Sequence, residues 1–226
     1  MKKTIAGIAA CGAALAVGAT AAAYPRLWRR QCLTWGATAD EVNMEMPGDD
    51  LLPRPDLLAT RGITIEAPAR AVWPWLVQMG SGRAGAYTYD WIENLLGLDM
   101  HSADQILPQF QQLKAGDVLP AGSTGPGMQV EILQPDRALV VRSEDGNWVW
   151  AFCLYPYGEV TRLISRNRIA APGASLFRRA FNLVVMEPGS LIMERKMRLG
   201  IKERAERFAQ HGGDEGTASV VTDEMI

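Results

Sequence analysis

The chain has 226 residues, 48% of them hydrophobic, which is enough to bury a substantial core in one domain with extensions. A formal net charge of -2 and a pI near 5.8 exclude the broad basic field that a nucleic-acid binder needs. Cys11, Cys32 and Cys153 lie far apart without CxxC spacing, which excludes a zinc knuckle or a disulfide framework.

At the amino terminus, Lys2 and Lys3 precede an uncharged run rich in Ala and Gly over residues 4–23, and Arg26, Arg29 and Arg30 follow it. Twenty helical residues would span roughly 30 Å, the thickness of a hydrocarbon core. A basic start and the Ala21-Ala22-Ala23 exit before Tyr24 also fit a cleaved signal, whereas closing arginines and Trp28 fit an uncleaved anchor. Residues 1–25 are therefore expected to be a membrane anchor or a signal segment. The reading adopted is a single span with the domain on the cytoplasmic side; the alternative is export after cleavage near Ala23.

Residues 26–58 read as an extended connector, because Pro47, Pro53 and Pro55 remove backbone donors and Gly48 invites a turn. Thr38 is placed to cap one short helical turn within it. Residues 61–66, RGITIE, alternate with Ile63 and Ile65 on one face and predict the first strand. Pro68 then opens a short helix with Ala71, Val72, Trp75, Leu76 and Met79 at helical spacing. Gly82, Arg83 and Gly85 do not form a phosphate loop, since neither GxGxxG nor a Gly-Lys-Ser/Thr ending is present.

A second short helix is marked by Trp91, Leu95 and Leu98, with Tyr87, Tyr89, Asp90, Glu93, Asp99 and His101 crowded at its ends. That density of donors and acceptors makes a candidate site; the competing reading is a helix anchored by its aromatics and capped by its carboxylates. His101 and His211 lie too far apart in sequence to point to a metal, and none is expected.

Residues 117–120, 128–133, 138–142, 147–155 and 160–169 each read as a strand, separated by turn-forming segments. In residues 147–155 Trp148, Trp150, Phe152 and Leu154 share one face and Val149, Ala151 and Cys153 the other. Both faces are apolar, so each is expected to be covered or to line a cavity. An amphipathic run from Leu176 to Val185 predicts a helical piece kinked or broken at Pro188, and Ser190 is placed to cap a fresh long helix. Met193, Met197, Ile201, Ala205 and Phe208 form its apolar stripe, with Glu194 and Arg198 assigned elsewhere on it. Residues 210–226 are glycine-rich and acidic and read as a disordered tail.

One strand, two short helices, an antiparallel meander and a long terminal helix make an α+β order in which a curved sheet wraps the last helix. With TWGATADEV, MPGDDLLP, ITIEAPARAVWPWLVQMG, YTYDWIENLLGLDMHSAD and LVVMEPGSLIMERKMRLGIKERAE in place, the chain resembles the SRPBCC superfamily. That superfamily comprises the START-like, or polyketide-cyclase-like, helix-grip proteins, and the resemblance runs from about Trp28 to Ala209. More narrowly the chain resembles a bacterial group whose members often carry a membrane segment ahead of the TWGAT-like stretch. The resemblance implies a helix-grip domain over residues 59–209, with a cavity between sheet and helix that holds apolar or amphipathic small molecules.

The leading expectation is thus binding of a lipid-like or polyketide-like molecule close to the membrane by a monomer without a cofactor. Tyr87, Tyr89, His101 and Arg142 are expected as polar anchors, and Trp150, Met193 and Met197 as apolar lining. A second reading is a cofactor-free cyclase, dehydratase or hydrolase using Asp90, Glu93 or His101 as acid and base. A third is a protein-interaction module at the membrane.

Overall fold

The computed structural model describes residues 28–120, 122 and 127–220, with side chains described through His211. The expected anchor or signal in residues 1–25 lies outside them. Among the described residues no helix is long and apolar enough to cross a membrane.

Six antiparallel strands form one sheet: β1 (Leu57–Ile65), β2 (Val118–Leu119), β3 (Met128–Gln134), β4 (Ala138–Ser143), β5 (Trp148–Tyr157) and β6 (Val160–Ile169). Their order is β1-β6-β5-β4-β3-β2, so strands β2 to β6 are a meander and the first strand returns to pair with the last. Two tight connections follow from the sequence. Asp136 (φ 58°) and Gly146 (φ 71°) supply the left-handed backbone that turns β3 into β4 and β4 into β5.

Alternation within these strands sorts their side chains into two layers. Ile65, Val130, Leu139, Val141, Phe152, Leu154 and Leu163 point inward, where they meet helix α3 (Ala69–Val77) and helix α6 (Glu187–Val220). From α3 come Val72, Trp75 and Leu76, and from α6 come Met197, Ile201 and Ala205, all buried. Burial of each large aliphatic or aromatic side chain contributes about 2 kcal/mol over leaving it in water. The result is a helix-grip fold: a curved antiparallel sheet holding a long carboxy-terminal helix.

The outer face of the sheet is covered by the segment before β1. Residues 28–34 form helix α1 on the helix side of the sheet, and the chain then crosses the edge strand β1 at Gly36. There the Trp35 carbonyl accepts from Gly62 N at 3.1 Å, and a Cβ on Gly36 would stand 2.2 Å from the Gly62 oxygen. Beyond the crossing, helix α2 (Ala39–Asn43) is capped by Thr38 and Glu41 in a reciprocal capping box, as Thr38 predicts. Met44, Met46, Leu51 and Leu52 then lie on Ala138, Val140, Val149, Ala151, Cys153 and Ile164. The second apolar face of β5 is therefore covered by a packed strap, where the proline content points to an extended connector.

Three arginines on the outer side of β6 hold that strap. Arg166 donates to the carbonyls of Glu41 (2.9 Å), Val42 (3.0 Å) and Met44 (2.8 Å), to the Asp49 carboxylate (2.6 Å) and to Thr60 Oγ1 (2.9 Å). Arg168 donates to Asp49 (2.8 Å) and to the Leu52 carbonyl (2.8 Å). Arg162 grips Glu41 with Nε at 2.7 Å and Nη2 at 2.9 Å. The strap's own carbonyls, stripped of a ladder by its prolines, are thus satisfied by guanidinium donors.

The expected fresh helix start near Ser190 is corrected. Helix α5 (Leu176–Phe181), capped by Ser175, runs through a π-helical turn over Asn182–Met186 directly into α6. Pro188 thus lies inside a continuous helix, and the π turn directly ahead of it takes up the irregularity that its ring and missing N–H impose. The backbone of α6 is helical to Val220.

Candidate ligand site in the grip

Between sheet and α6 the lining is mostly apolar, and its polar content is concentrated at the amino-terminal end of α6. Arg61 enters from β1, Ser165 and Asn167 from β6, and Glu194 and Arg198 from α6. Arg61 and Arg198 are 1% and 0% exposed, and Glu194 is buried between them. Arg61 pairs with Glu194 and also donates to Ser190 Oγ (2.8 Å) and to the Cys32 carbonyl (2.8 Å). Arg198 donates to the second Glu194 oxygen (2.6 Å), to the Glu194 carbonyl (3.0 Å) and to Ser165 Oγ. Asn167 donates to Glu194 at 3.1 Å and accepts from Trp148 Nε1 at 2.7 Å.

Two guanidinium groups against one carboxylate leave this buried cluster with one excess positive charge. Burial pushes the Arg198 guanidinium below its ordinary range, and the adjacent Glu194 carboxylate acts in the other direction. Arg198 Nε is buried with no partner among the described residues, and so is Trp150 Nε1. Trp150 stands directly across from Asn167 in the β5–β6 register, and its ring lies between Trp148 (5.5 Å) and Phe152 (4.8 Å). An aromatic ladder therefore runs into the charged cluster. Such an arrangement can present N–H donors to an acceptor at its polar end.

The residues expected from sequence fall in several places. Met197 belongs to the inner core and Trp150 packs against that core, and Met193 is half-buried on the same helix as Met197. Tyr87 is buried, but its hydroxyl donates to the Trp75 carbonyl (3.0 Å) and accepts from Gln78 Nε2 (3.0 Å), so it holds a loop to α3. Burial pushes its phenol well above the ordinary range. Arg142 lies on the outer face, because Leu139 and Val141 point inward and parity turns residue 142 away.

His101 is not brought to the other acid and base candidates. His101 carries 77% of its side-chain exposure and faces Asp99 at 3.2 Å on the surface. Asp90 accepts from Ser102 N (2.7 Å) and Ser102 Oγ (2.6 Å), which closes the 90–102 loop. Glu93, on helix α4 (Asp90–Leu95), is buried, and burial pushes its carboxyl above the ordinary range. Tyr89 is half-buried at the amino-terminal cap of α4. The apolar face expected on this helix is instead in solvent, with Trp91 at 70% and Leu95 at 79% exposure. Among the described residues no cluster of His, Cys, Asp and Glu could hold a metal ion.

Sequence periodicity misses Arg61, Glu194 and Arg198. The signals are present in retrospect: Arg61 has the strand parity of Ile63 and Ile65. Glu194 and Arg198 stand at the helical spacing of Ile201 and Ala205, on the stripe that is actually buried. Phe208, placed on the stripe by sequence, is 45% exposed.

No known family model matches the chain, and no curated protein matches it in sequence. Solved structures do share its outline. The KanY protein is 14% identical with a TM-score of 0.44, covering 66% of this chain and 97% of its own. A polyketide-cyclase-like protein from Corynebacterium glutamicum is 18% identical with a TM-score of 0.35, covering 73% and 95%. A protein from Nitrosomonas europaea is 13% identical with a TM-score of 0.41, covering 72% and 99%. At these identities the likeness is one of fold and brings no activity with it.

Proposed function

We propose that the grip binds one hydrophobic or amphipathic small molecule, lipid-like or polyketide-like, close to a membrane. The polar end of that molecule is a hydrogen-bond acceptor, and a carboxylate is the best match. The observation that carries this reading is that two buried donors, Arg198 Nε and Trp150 Nε1, have no partner among the described residues, the second on the middle ring of an aromatic ladder inside an apolar lining. A buried donor without a partner costs about 1–3 kcal/mol, and an anionic guest removes that cost while balancing the excess charge. The resemblance of the sequence to SRPBCC proteins supports the same reading, as does the exposure of His101 to solvent.

The test is a titration of the full chain with dansyl-undecanoic acid and with its alcohol counterpart, read by energy transfer from tryptophan. Saturable binding of the acid is expected, with the alcohol weaker on the order of tenfold. In Arg198→Met, which keeps the Arg61–Glu194 pair balanced, the preference for the acid should disappear. Equal binding of both probes by the unaltered chain, or no saturable binding, would overturn the reading.

A further inference from the structure

The segment joining the sheet to the long helix is mostly apolar and is covered by nothing among the described residues. Neither α5 nor the π turn that follows contains a buried residue. Leu176 is 85% exposed, Phe177 82% and Val184 70%, and Phe181, Val185 and Met186 are about half exposed. A helical stretch with this composition is ordinarily buried, and a contiguous exposed patch of this kind marks an interaction surface. Its only charges are Arg178 and Arg179, and neither has a carboxylate partner among the described residues.

The chain's own topology identifies the occupant. Arg29 of α1 grips Glu187, the first residue of α6, through Nε (2.9 and 3.1 Å) and Nη2 (3.0 Å), so the chain enters the domain beside this patch. The uncharged run of residues 4–23, long enough to reach across a hydrocarbon core, ends five residues before Trp28. Five residues reach at most about 18 Å. A bilayer that takes up that run is therefore held within that distance of α1 and of the apolar patch next to it. Trp28, 45% exposed, lies at the same place, as interfacial tryptophans do.

We infer that the face formed by Phe177, Phe181, Val184 and Val185 inserts into the headgroup and acyl boundary of an anionic lipid bilayer, with Arg178 and Arg179 on lipid phosphates. The helix then lies in the plane of the interface. This deepens the membrane clause of the proposed function and is independent of what the grip holds.

The test uses the full chain with Cys11→Ser, because Cys32 and Cys153 are buried. Single cysteines are placed at Phe177→Cys, Val184→Cys and, as a control on the β5–β6 turn, Tyr157→Cys, each labelled with nitrobenzoxadiazole. The protein is reconstituted into vesicles of mixed dioleoylphosphatidylcholine and dioleoylphosphatidylglycerol. All three sites are exposed, so labelling leaves the core intact. Labels at 177 and 184 are expected to be quenched by lipids brominated near the headgroup and shielded from aqueous iodide, with the reverse at 157. Iodide quenching at 184 equal to that at 157 would overturn the inference. Shielding from both quenchers would overturn it too, by showing that protein, such as residues 4–23, covers the face. The dansyl titration reads the interior and separates a failure there from a failure here.

Discussion

Arg61, on the edge strand, and Glu194, on the long helix, lie 133 residues apart in sequence and meet as a buried ion pair between sheet and helix. The same carboxylate also faces Arg198, one helical turn on. Removing one member of a buried pair leaves uncompensated charge in a poorly solvated place and costs about 3–5 kcal/mol. Glu194→Ala is expected to lose about that much in urea unfolding, whereas the triple replacement Arg61→Met, Glu194→Leu, Arg198→Met should recover most of it. A single variant as stable as the parent would show that the cluster is solvated.

The strap on the outer face should depend on Arg166. Its five hydrogen bonds hold carbonyls and a carboxylate that have few other partners, so Arg166→Ala is expected to free the strap before the sheet unfolds. Amide exchange over residues 39–53 should speed up by at least tenfold while β4 and β5 remain protected. Uniform acceleration across both would mean that strap and sheet open together.

Helix α6 approaches the Tyr87 loop through Gly200, where an added Cβ would stand 2.7 Å from the Tyr87 carbonyl oxygen. Because the obstacle is backbone, it cannot rotate away, and Gly200→Ala is expected to destabilise the chain by about 1–3 kcal/mol despite improved helix propensity. A gain in stability would refute the close approach.

Burial holds the Glu93 carboxyl above its ordinary value near 4.5 in the folded chain. Well below that value the group is protonated in both states. As pH rises through it, the unfolded chain ionises first, the folded chain binds the extra proton, and stability falls until the folded group has also ionised. Glu93→Gln removes this slope. It is expected to raise stability at neutral pH and to leave it unchanged in acid, as measured by denaturant midpoints across pH. The same gain at both extremes would assign the effect to packing.

Cys153 lies under the strap, and burial pushes its thiol up to about 12. Iodoacetamide at mildly alkaline pH should leave it unmodified in the folded chain and modify it fully in urea, as read by peptide mass mapping. In Arg166→Ala it should become reactive without denaturant.

Much of the fold is legible because its signals are periodic. The strand signal of 160–169 and the four-residue steps of Met197, Ile201 and Ala205 both hold in the structure, the latter marking a buried helix face. The strap is less legible: prolines argue against regular structure, but nothing local says that Arg162, Arg166 and Arg168 will satisfy its carbonyls from a strand more than a hundred residues away. The site fails for a related reason. Hydrophobic patterning discards charges from a core stripe, so Glu194 and Arg198 are assigned outward, although each charge is admissible inside because Arg61 and Ser165 arrive from the sheet. The cluster of Tyr87, Asp90 and His101 misleads in the opposite way. Their proximity in sequence reflects a loop that hydrogen-bonds to itself and to α3, with the histidine left in water.

The most direct measurement is native mass spectrometry of the full chain, purified in mild detergent from the cells that express it, with extraction and identification of anything retained. One apolar molecule bearing a carboxylate or similar acceptor is expected per chain, retained by the parent and lost or depleted in Arg198→Met. A chain that flies bare, or one that retains the same molecule regardless of Arg198, would contradict the central claim that the grip holds an amphipathic guest by its acceptor end.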